Sequence, residues 1–287
     1  MMEPTIAKAS GGETEPLWRR FRPHNIRFTL YFTYFELKKQ YADSALGVMW
    51  MVVEPLLRMG LYVLVFAVLL GRRFQLVEGG NAARFDYTLY ILSGLVPWHF
   101  VSFSFSRGMG MITSYAGFIR QPNFPYRTLP SVMFLLSMPG HLTSMAVLLV
   151  LFVVAGRLGE VQWHLLALAY LLIFYFMRGL ITVLGAATAR IMDLRNAVPL
   201  LLQVLIYTSP IIYKPEMIPE KLRFIMYSNP LSYLVGAFKY ALSGDDTLSI
   251  ITPILDFVIL AVMAAVLVTV QQAVLTRIRS TGIDHVA

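Results

Sequence analysis

The sequence contains no cysteine, and this absence excludes several kinds of chemistry at once. A chain without thiols has no disulfide framework, no thiolate metal site and no cysteine nucleophile. Charged residues are also scarce, at 14% of the 287 residues, whereas a soluble domain has about 25%. Hydrophobic residues reach 57%, which is more than a soluble core of this size requires. The composition therefore indicates a membrane protein.

The sequence also lacks the motifs that hold nucleotides or metals. No GxxxxGK[ST] stretch and no HExxH stretch occurs, and the five histidines are far apart in sequence. We therefore predict no catalytic residue, no metal site and no cofactor bound by this chain. The adjacent acids Asp245 and Asp246 follow Gly244, a pattern more typical of a turn than of a metal-dependent transferase.

Residues 1–16 are polar and contain no hydrophobic segment of the kind found in a cleavable signal peptide. We expect this N-terminal tail to stay in the cytoplasm.

A net charge of +8 would suggest a nucleic-acid ligand in a soluble protein. Here the basic residues lie between apolar runs, so membrane orientation explains them better, and we expect no nucleic-acid partner.

Six apolar runs approach or exceed the roughly 20 helical residues that a bilayer crossing needs. They cover residues 46–70, 87–112, 130–155, 163–189, 197–213 and 253–275, and the fifth is short. The sequence thus predicts an all-α membrane protein with a six-helix transmembrane domain at 46–275. Because the N-terminal tail is expected in the cytoplasm, an even number of crossings places the C-terminal tail at 276–287 in the cytoplasm as well. The predicted inner segments carry more Lys and Arg than the outer ones, which agrees with this orientation.

Residues 17–45 are predicted to form an amphipathic helix in the cytoplasmic interface. Phe28, Tyr31, Phe32 and Phe35 recur at the spacing of one helix face. The pattern is equally typical of a simple membrane anchor and of a docking site for a cytoplasmic partner.

The chain between the fifth and sixth runs has four prolines within residues 209–230, followed by a thirteen-residue apolar stretch at 231–243. This stretch is too short to cross a bilayer. We therefore predict short re-entrant helices over residues 214–243, on the periplasmic side. An ordinary periplasmic loop is the alternative.

Three charged residues lie inside the predicted spans, where charges are costly and usually functional. Glu54 precedes Arg58 by four residues, so the two can pair on one helix face. A self-neutralising structural pair explains them slightly better than a functional site does. Arg178 lies deep in the fourth span and needs a partner or water, and Glu54 lies at a suitable depth to be that partner.

Aromatic residues make up 13% of the chain, and several lie within the predicted spans. Aromatic rings stack on the apolar faces of sugars with little directional preference, which suits a channel along which a glycan slides. The candidate channel residues are Tyr62, Phe66, Trp98, Phe103 and Tyr207. Contact with lipid or packing in the core is the commoner role for any one of them.

Four stretches, in one order along the chain, resemble the permease subunit of ATP-binding-cassette polysaccharide exporters. They are LGVMW within residues 35–57, GLVPW within 93–108, FPYRTLP within 118–130, and SPIIY, MIP and NPL within 209–242. No single stretch is diagnostic, whereas the ordered set is fairly specific. Arg178 and the polar tail depart from the family's pattern.

The resemblance implies export of a lipid-linked polysaccharide, such as O-antigen, capsule or teichoic acid, across the bacterial inner membrane. It implies a homodimer of this chain in contact with membrane lipid, and two copies of a nucleotide-binding ATPase subunit that carries ATP and magnesium. The implied residues for coupling to the ATPase are Phe35, Lys38, Lys39, Phe118, Arg120, Phe124 and Arg127. Those of the implied periplasmic gate are Tyr213, Pro215, Pro219, Asn229 and Pro230.

Other functions stay open at this point. A related permease exports a small lipid or a drug, and a membrane enzyme acts on polyprenyl-linked sugars. A purely structural membrane anchor is the third alternative. A neighbouring gene for an ATPase with a carbohydrate-binding tail would favour polysaccharide export over all of these.

Overall fold

The computed structural model describes residues 23–69, 81–214, 217–245 and 249–281. All regular secondary structure within these ranges is helical, which confirms the predicted all-α class. The main helices are α1 (Pro23–Gln40), α2 (Trp50–Val63, continued by a π-helical turn at Leu64–Leu69), α3 (Asn81–Met109), α4 (Leu129–Val154), α5 (Trp163–Arg190), α6 (Leu194–Thr208), α7 (Pro230–Ser243) and α8 (Pro253–Thr281). Shorter helical segments include Met111–Ser114, Ala116–Ile119 and Arg223–Ser228.

Five helical stretches in the described residues are long and apolar enough to cross a membrane. They are Gly47–Leu69, Tyr87–Met109, Tyr126–Val154, Trp163–Arg190 and Pro253–Ile278. Each corresponds to one of the predicted apolar runs, with ends that differ by a few residues. The tails at 1–16 and 282–287 lie outside the described residues.

The predicted fifth run, 197–213, forms a shorter helix than expected. Helix α6 has fifteen residues, which is less than a bilayer crossing needs. It ends because Ser209 precedes Pro210, and a residue before proline is disfavoured in the helical region. Ser209 accordingly has an extended backbone, with φ −92° and ψ 148°.

Helix α3 lies at the centre of the bundle, where it packs against α4, α5 and α7. Its apolar side chains are almost fully enclosed, with Ile91 and Leu92 at 0% exposure and Val101 at 1%. The helix continues through Pro97 although proline removes a backbone donor. A membrane bundle tolerates such a residue because neighbouring groups satisfy the freed carbonyl.

Glycines let α5 approach its two main neighbours closely. A Cβ atom on Gly179 would lie 2.5 Å from the Cβ of Leu267 in α8. A Cβ atom on Gly108 in α3 would lie 2.9 Å from the Ile181 side chain. Small residues at such crossings are typical of membrane helices, since close backbone packing drives their association. Helices α3, α5 and α8 therefore form a tightly packed frame.

Helices α2 and α6 lie at the margin of this frame and carry bare apolar faces. On α2, Leu57 is 66% exposed and Leu61 is 56% exposed, and on α6 the values are 62% for Leu200 and 59% for Val204. Helix α2 packs mainly on α4, and α6 touches α3 and α5. The described residues therefore leave these apolar side chains of α2 and α6 exposed.

Helix α7 begins and ends at residues suited to those positions. The Oδ1 atom of Asn229 accepts a hydrogen bond from the Leu231 amide at 3.0 Å, and Pro230 occupies the first helical turn. Gly244 ends the helix with φ 66°, a left-handed conformation that favours glycine. Helix α7 contacts α3 near its start, through Lys239 and Tyr90, whereas α1 contacts it near its end, through Gln40 and Arg107. We call these two ends of the bundle the α7 end and the α1 end.

Candidate functional site

An aromatic cluster joins α1 to the connection between α3 and α4. The Phe32 ring centroid lies 5.7 Å from that of Tyr115, 6.1 Å from that of Phe118 and 5.9 Å from that of Phe124. Phe28 stacks on Phe32 with 5.3 Å between centroids. Rings at these separations attract one another beyond their burial of apolar area. The cluster therefore links the position of α1 to that of the connection.

Two polar contacts reinforce the same junction. The Tyr115 hydroxyl donates a hydrogen bond to Oε2 of Glu36 at 2.8 Å, and the Arg107 guanidinium donates one to Oε1 of Gln40 at 2.8 Å. Burial raises the pKa of the Tyr115 phenol, and the hydrogen bond and charge of Glu36 raise it further. The phenol therefore stays protonated and remains a donor to Glu36 at physiological pH.

The residues expected to couple the chain to an ATPase divide between this junction and the surface. Phe118 and Phe124 belong to the aromatic cluster, and Phe118 is still 43% exposed. The others are exposed or half-buried around it: Phe35, Lys38, Lys39, Arg120 and Arg127. The structure thus places all seven at the α1 end, and their contact with a partner stays a prediction.

The predicted aromatic face of α1 is split in the structure. Phe28 and Phe32 pack on the connection, whereas Tyr31 is 71% exposed and Phe35 is 54% exposed. The exposed rings are free to contact lipid or another chain. Helical spacing alone does not distinguish these two environments, because it places all four rings on one broad face.

A cleft lies between α2, α3 and α4. Its polar lining includes Tyr41, Glu54, Arg58, His99, Arg107, Ser137, His141 and Ser144. Nη2 of Arg58 lies 2.5 Å from Oε1 of Glu54, so the predicted pairing of these residues is confirmed. Deeper along α2, the Tyr62 hydroxyl shares a hydrogen bond with Nε2 of His99, and the two rings stack with 5.5 Å between centroids.

Arg107 occupies the α1 end of this cleft. Its Cζ atom lies 4.8 Å from the centroid of the Phe103 ring, a cation–π contact. Its Nε atom is buried and donates no hydrogen bond within the described part of the chain. Phe103 is 40% exposed and lines the same cleft. The cleft therefore combines cationic groups with an aromatic wall.

Arg178 has an aromatic neighbour on its own helix. Its Cζ atom lies 5.3 Å from the centroid of the Phe174 ring, one turn earlier in α5. The carboxylate of Glu54, which the sequence offered as a partner for Arg178, is paired with Arg58. The Arg178 guanidinium, predicted to lie deep in the span, therefore makes a cation–π contact with the Phe174 ring.

At the α7 end, the turn after α6 is held by two side chains. Nζ of Lys239 lies 2.6 Å from the carbonyl oxygen of Pro210 and 3.2 Å from that of Ile211. The Tyr90 hydroxyl donates a hydrogen bond to the carbonyl oxygen of Tyr213 at 2.6 Å. The turn is therefore fixed from α7 on one side and from α3 on the other.

Asn229 holds the same turn from a third direction. The two N–H bonds of its Nδ2 atom are shared among three acceptors: the carbonyl oxygen of Leu205 at 3.2 Å, Oγ1 of Thr208 at 3.0 Å and Oγ of Ser209 at 2.9 Å. The side chain is 3% exposed. Because its Oδ1 atom also caps α7, one amide connects the end of α6 to the start of α7.

The candidate gate residues lie in or near this unit. Tyr213, Asn229 and Pro230 belong to it, and Pro219 is exposed just before the short 3₁₀ turn Glu220–Leu222. Pro215 lies outside the described residues. The function of these residues as a gate stays a prediction.

A family model described as ABC-2 type transporter matches residues 29–242, which is more than half of the chain. This chain belongs to the ABC-2 type transporter family. It is therefore a multi-pass membrane subunit of a transporter rather than an enzyme, and its family works with an ATP-binding subunit. The matched residues extend from within α1 to α7 and include the turn after α6 and all of the aromatic cluster except Phe28.

Two relatives of this ABC-2 subunit are named as O-antigen export system permease protein RfbA. The protein from Klebsiella pneumoniae is 26% identical over 208 residues, which cover 71% of this chain and 75% of the relative. The protein from Myxococcus xanthus is 27% identical over 208 residues, with the same coverage of both chains.

The candidate channel aromatics of the ABC-2 subunit lie in three environments. Trp98 is 4% exposed and packs in the core, which favours the packing alternative for this residue. Tyr62 and Phe66 are half-buried on α2, and Phe103 lines the cleft. Tyr207 is 68% exposed on α6. A role in a channel stays a prediction for each of them.

Sequence reasoning missed two buried charges of the ABC-2 subunit. Lys239, which the sequence placed in an outer segment, is 0% exposed. Asp256 is also 0% exposed, and its carboxylate accepts hydrogen bonds from the Ile250 amide at 2.7 Å and the Ile251 amide at 3.3 Å. A single cation within the apolar stretch at 231–243 is the signal that marks Lys239.

The first of the paired acids follows directly after the end of α7. Asp245 is exposed, and its amide donates to Oγ of Ser243 at 3.3 Å. Asp246 lies outside the described residues. Within the described ranges, no group of three or more His, Asp or Glu side chains is arranged to hold a metal ion.

Proposed function

We propose that this ABC-2 subunit is the membrane-spanning permease of an exporter for a lipid-linked polysaccharide. The supporting observation is its alignment with O-antigen export permeases from two bacteria over 208 residues. A separate ATPase subunit would bind ATP and magnesium and drive transport.

The proposed topology has six crossings with both termini in the cytoplasm. Five helices have the length for it, and α6 together with the turn after it would make the sixth. Helix α7 would dip into the outer leaflet and return, because its fourteen residues are too few for a crossing. Helix α1 would lie in the cytoplasmic interface. The α1 end is then the cytoplasmic end.

The proposed assembly is a homodimer with two ATPase subunits. The bare apolar faces of α2 and α6, represented by Leu57 and Val204, would pack against the second copy and the lipid. The buried side chains of α3 fill the centre of a single bundle, so the described residues leave no wide passage along the bundle axis. A channel for a glycan would therefore form between two copies, with Tyr207 and Phe66 as candidate lining.

Coupling to ATP hydrolysis would pass through the α1 end. The connection between α3 and α4 carries exposed Phe118 and Arg120, and α1 carries exposed Phe35. Because the aromatic cluster joins these two elements, a partner that shifts one shifts both. Coupling also requires that the partner favour one of two permease arrangements over the other.

The test is complementation in a strain that makes a surface polysaccharide but lacks its own export permease. This chain and the cognate ATPase subunit, expressed together, are expected to restore polysaccharide on the cell surface. An ATPase subunit without its phosphate-loop lysine is the control and is expected to restore none. A complex that hydrolyses ATP and assembles in the membrane, yet leaves the glycan inside and expels a small lipid, would contradict the proposal.

A further inference from the structure

The cleft between α2, α3 and α4 carries an excess of positive charge. Two guanidinium groups, of Arg58 and Arg107, and one carboxylate, of Glu54, line it. Counting these three groups leaves one positive charge that no carboxylate of the lining balances. An unbalanced charge in a membrane helix bundle is costly, and such charges face a partner or a water-filled space. The cleft is therefore suited to an anion.

The two arginines have donors left for that anion. Arg58 uses Nη2 for Glu54, and Arg107 uses Nη2 for Gln40. A guanidinium group has five N–H donors, and the buried Nε of Arg107 donates to nothing in the described residues. Arginine presents its donors as a planar fork that matches phosphate oxygens in pairs. The remaining donors therefore favour a phosphate group over a small halide ion.

The surroundings of the cleft suit a phosphate attached to a lipid. Tyr41 and Trp50 line it where the chain approaches and begins α2. Burial raises the pKa of the Tyr41 phenol, with the charge of Arg107 acting against this rise and that of Glu54 adding to it. The phenol stays protonated and is a further donor. The exposed faces of Trp50 and Phe103 offer apolar contact to a hydrocarbon chain.

We propose that this cleft binds the phosphate of an anionic lipid that enters beside α2, with Arg58 and Arg107 as its ligands. Two kinds of lipid carry this chemistry: the diphosphate carrier of a lipid-linked glycan, and a bulk phospholipid such as phosphatidylglycerol. The first assignment rests on the proposed function, because the carrier would then be the membrane end of the exported substrate.

The test uses the full-length chain with its ATPase subunit in phosphatidylcholine nanodiscs. A photoreactive polyprenyl diphosphate is titrated, and cross-linking to the chain gives the dissociation constant. Arg107→Gln is expected to weaken binding about tenfold or more, since it removes charge-assisted hydrogen bonds to phosphate. Arg190→Gln, at an exposed position at the end of α5, removes the same charge and is expected to change binding less than about twofold.

Two further variants keep the result interpretable. The double variant Glu54→Gln, Arg58→Gln removes the second ligand without leaving an unpaired charge, and is expected to weaken binding as well. Arg107→Lys serves if Arg107→Gln fails to fold, and is expected to bind more weakly than wild type because lysine lacks the planar fork. Uncharged photoreactive polyprenol should bind wild type and Arg107→Gln equally. Equal diphosphate binding by wild type and the arginine variants overturns the proposal.

Competition distinguishes the two lipid sources. Phosphatidylglycerol that displaces the diphosphate lipid at equal concentration identifies a general anionic-lipid site, whereas resistance to it identifies a site for the carrier. The assay is independent of export. If complementation fails but the chain still binds the phosphate lipid, the proposed function is wrong and the binding site stands. If export succeeds but Arg107→Gln binds the lipid as well as wild type does, the binding site is wrong and the proposed function stands.

Discussion

The ammonium nitrogen of Lys239 lies 2.6 Å from the carbonyl oxygen of Pro210 and 3.3 Å from the centroid of the Tyr90 ring. The side chain is fully buried, so carbonyl dipoles and an aromatic face take the place of water around it. Gly94 makes room for it, since a Cβ atom there would lie 2.8 Å from Cε of Lys239. This contact joins α3, α7 and the turn after α6.

Replacing the ammonium group by an apolar end should loosen that turn. Lys239→Met keeps an unbranched side chain, one atom shorter, but removes the ammonium donor to the Pro210 and Ile211 carbonyl oxygens. We expect a loss of about 1–3 kcal/mol of stability, measured by thermal unfolding in detergent. Lys221→Met, at an exposed position at the same end, is the control and should leave the midpoint unchanged. An unchanged midpoint in both variants would show that the buried ammonium does not hold the turn.

The crossing of α5 and α8 should not accept an additional methyl group. Gly179→Ala would place Cβ 2.5 Å from the Leu267 Cβ and 2.7 Å from its backbone, which cannot move without shifting α8. We expect destabilisation of about 1–3 kcal/mol in the same unfolding assay. Gly60→Ala in α2 meets nothing within 4 Å and should be neutral or slightly stabilising, because alanine favours helix. Equal midpoints for the two variants would contradict the close crossing.

Loss of the central ring of the aromatic cluster should release α1 from the connection. Phe32→Ala removes contacts with Phe28, Tyr115, Phe118 and Phe124. We expect faster hydrogen–deuterium exchange of the α1 amides, with a loss of about 1–3 kcal/mol of local stability.

The matched control for this variant is Tyr31→Ala, one residue away on the same helix. Tyr31 is 71% exposed, so its removal should leave amide exchange in α1 nearly unchanged. Faster exchange of similar size in both variants would mean that α1 is held by something other than the cluster.

The proposed orientation is testable because the natural chain has no cysteine to mask. Met217→Cys, at a side chain 73% exposed at the α7 end, should react with a membrane-impermeant maleimide in intact cells. Arg120→Cys, exposed in the connection at the α1 end, should react only after the membrane is permeabilised. The reverse pattern would invert the topology.

The spanning helices were predictable because the length of an apolar run alone decides whether a helix can cross a bilayer. The end of α6 is also present in the sequence, since proline at 210 disfavours a helical Ser209, but the apolar run continues past it to residue 213 and so predicts one longer helix. The Glu54–Arg58 pair followed from four-residue spacing.

The contacts that define the site join residues that are far apart in the sequence. Lys239 meets carbonyls 28 and 29 residues away, and Tyr90 meets Tyr213 across 123 residues. Arg107 joins Glu54 and Arg58 in one cleft only because α2 and α3 both pack on α4. No local pattern encodes such meetings, because they depend on how whole helices pack.

Helices α2 and α6 carry exposed apolar faces and pack less extensively on the frame of α3, α5 and α8 than α4 and α7 do. The subunit therefore keeps its tightly packed core and its exposed apolar faces on different helices. In the proposed homodimer, widening a passage between the two copies would slide these apolar faces past each other and leave the packed core and its backbone hydrogen bonds intact.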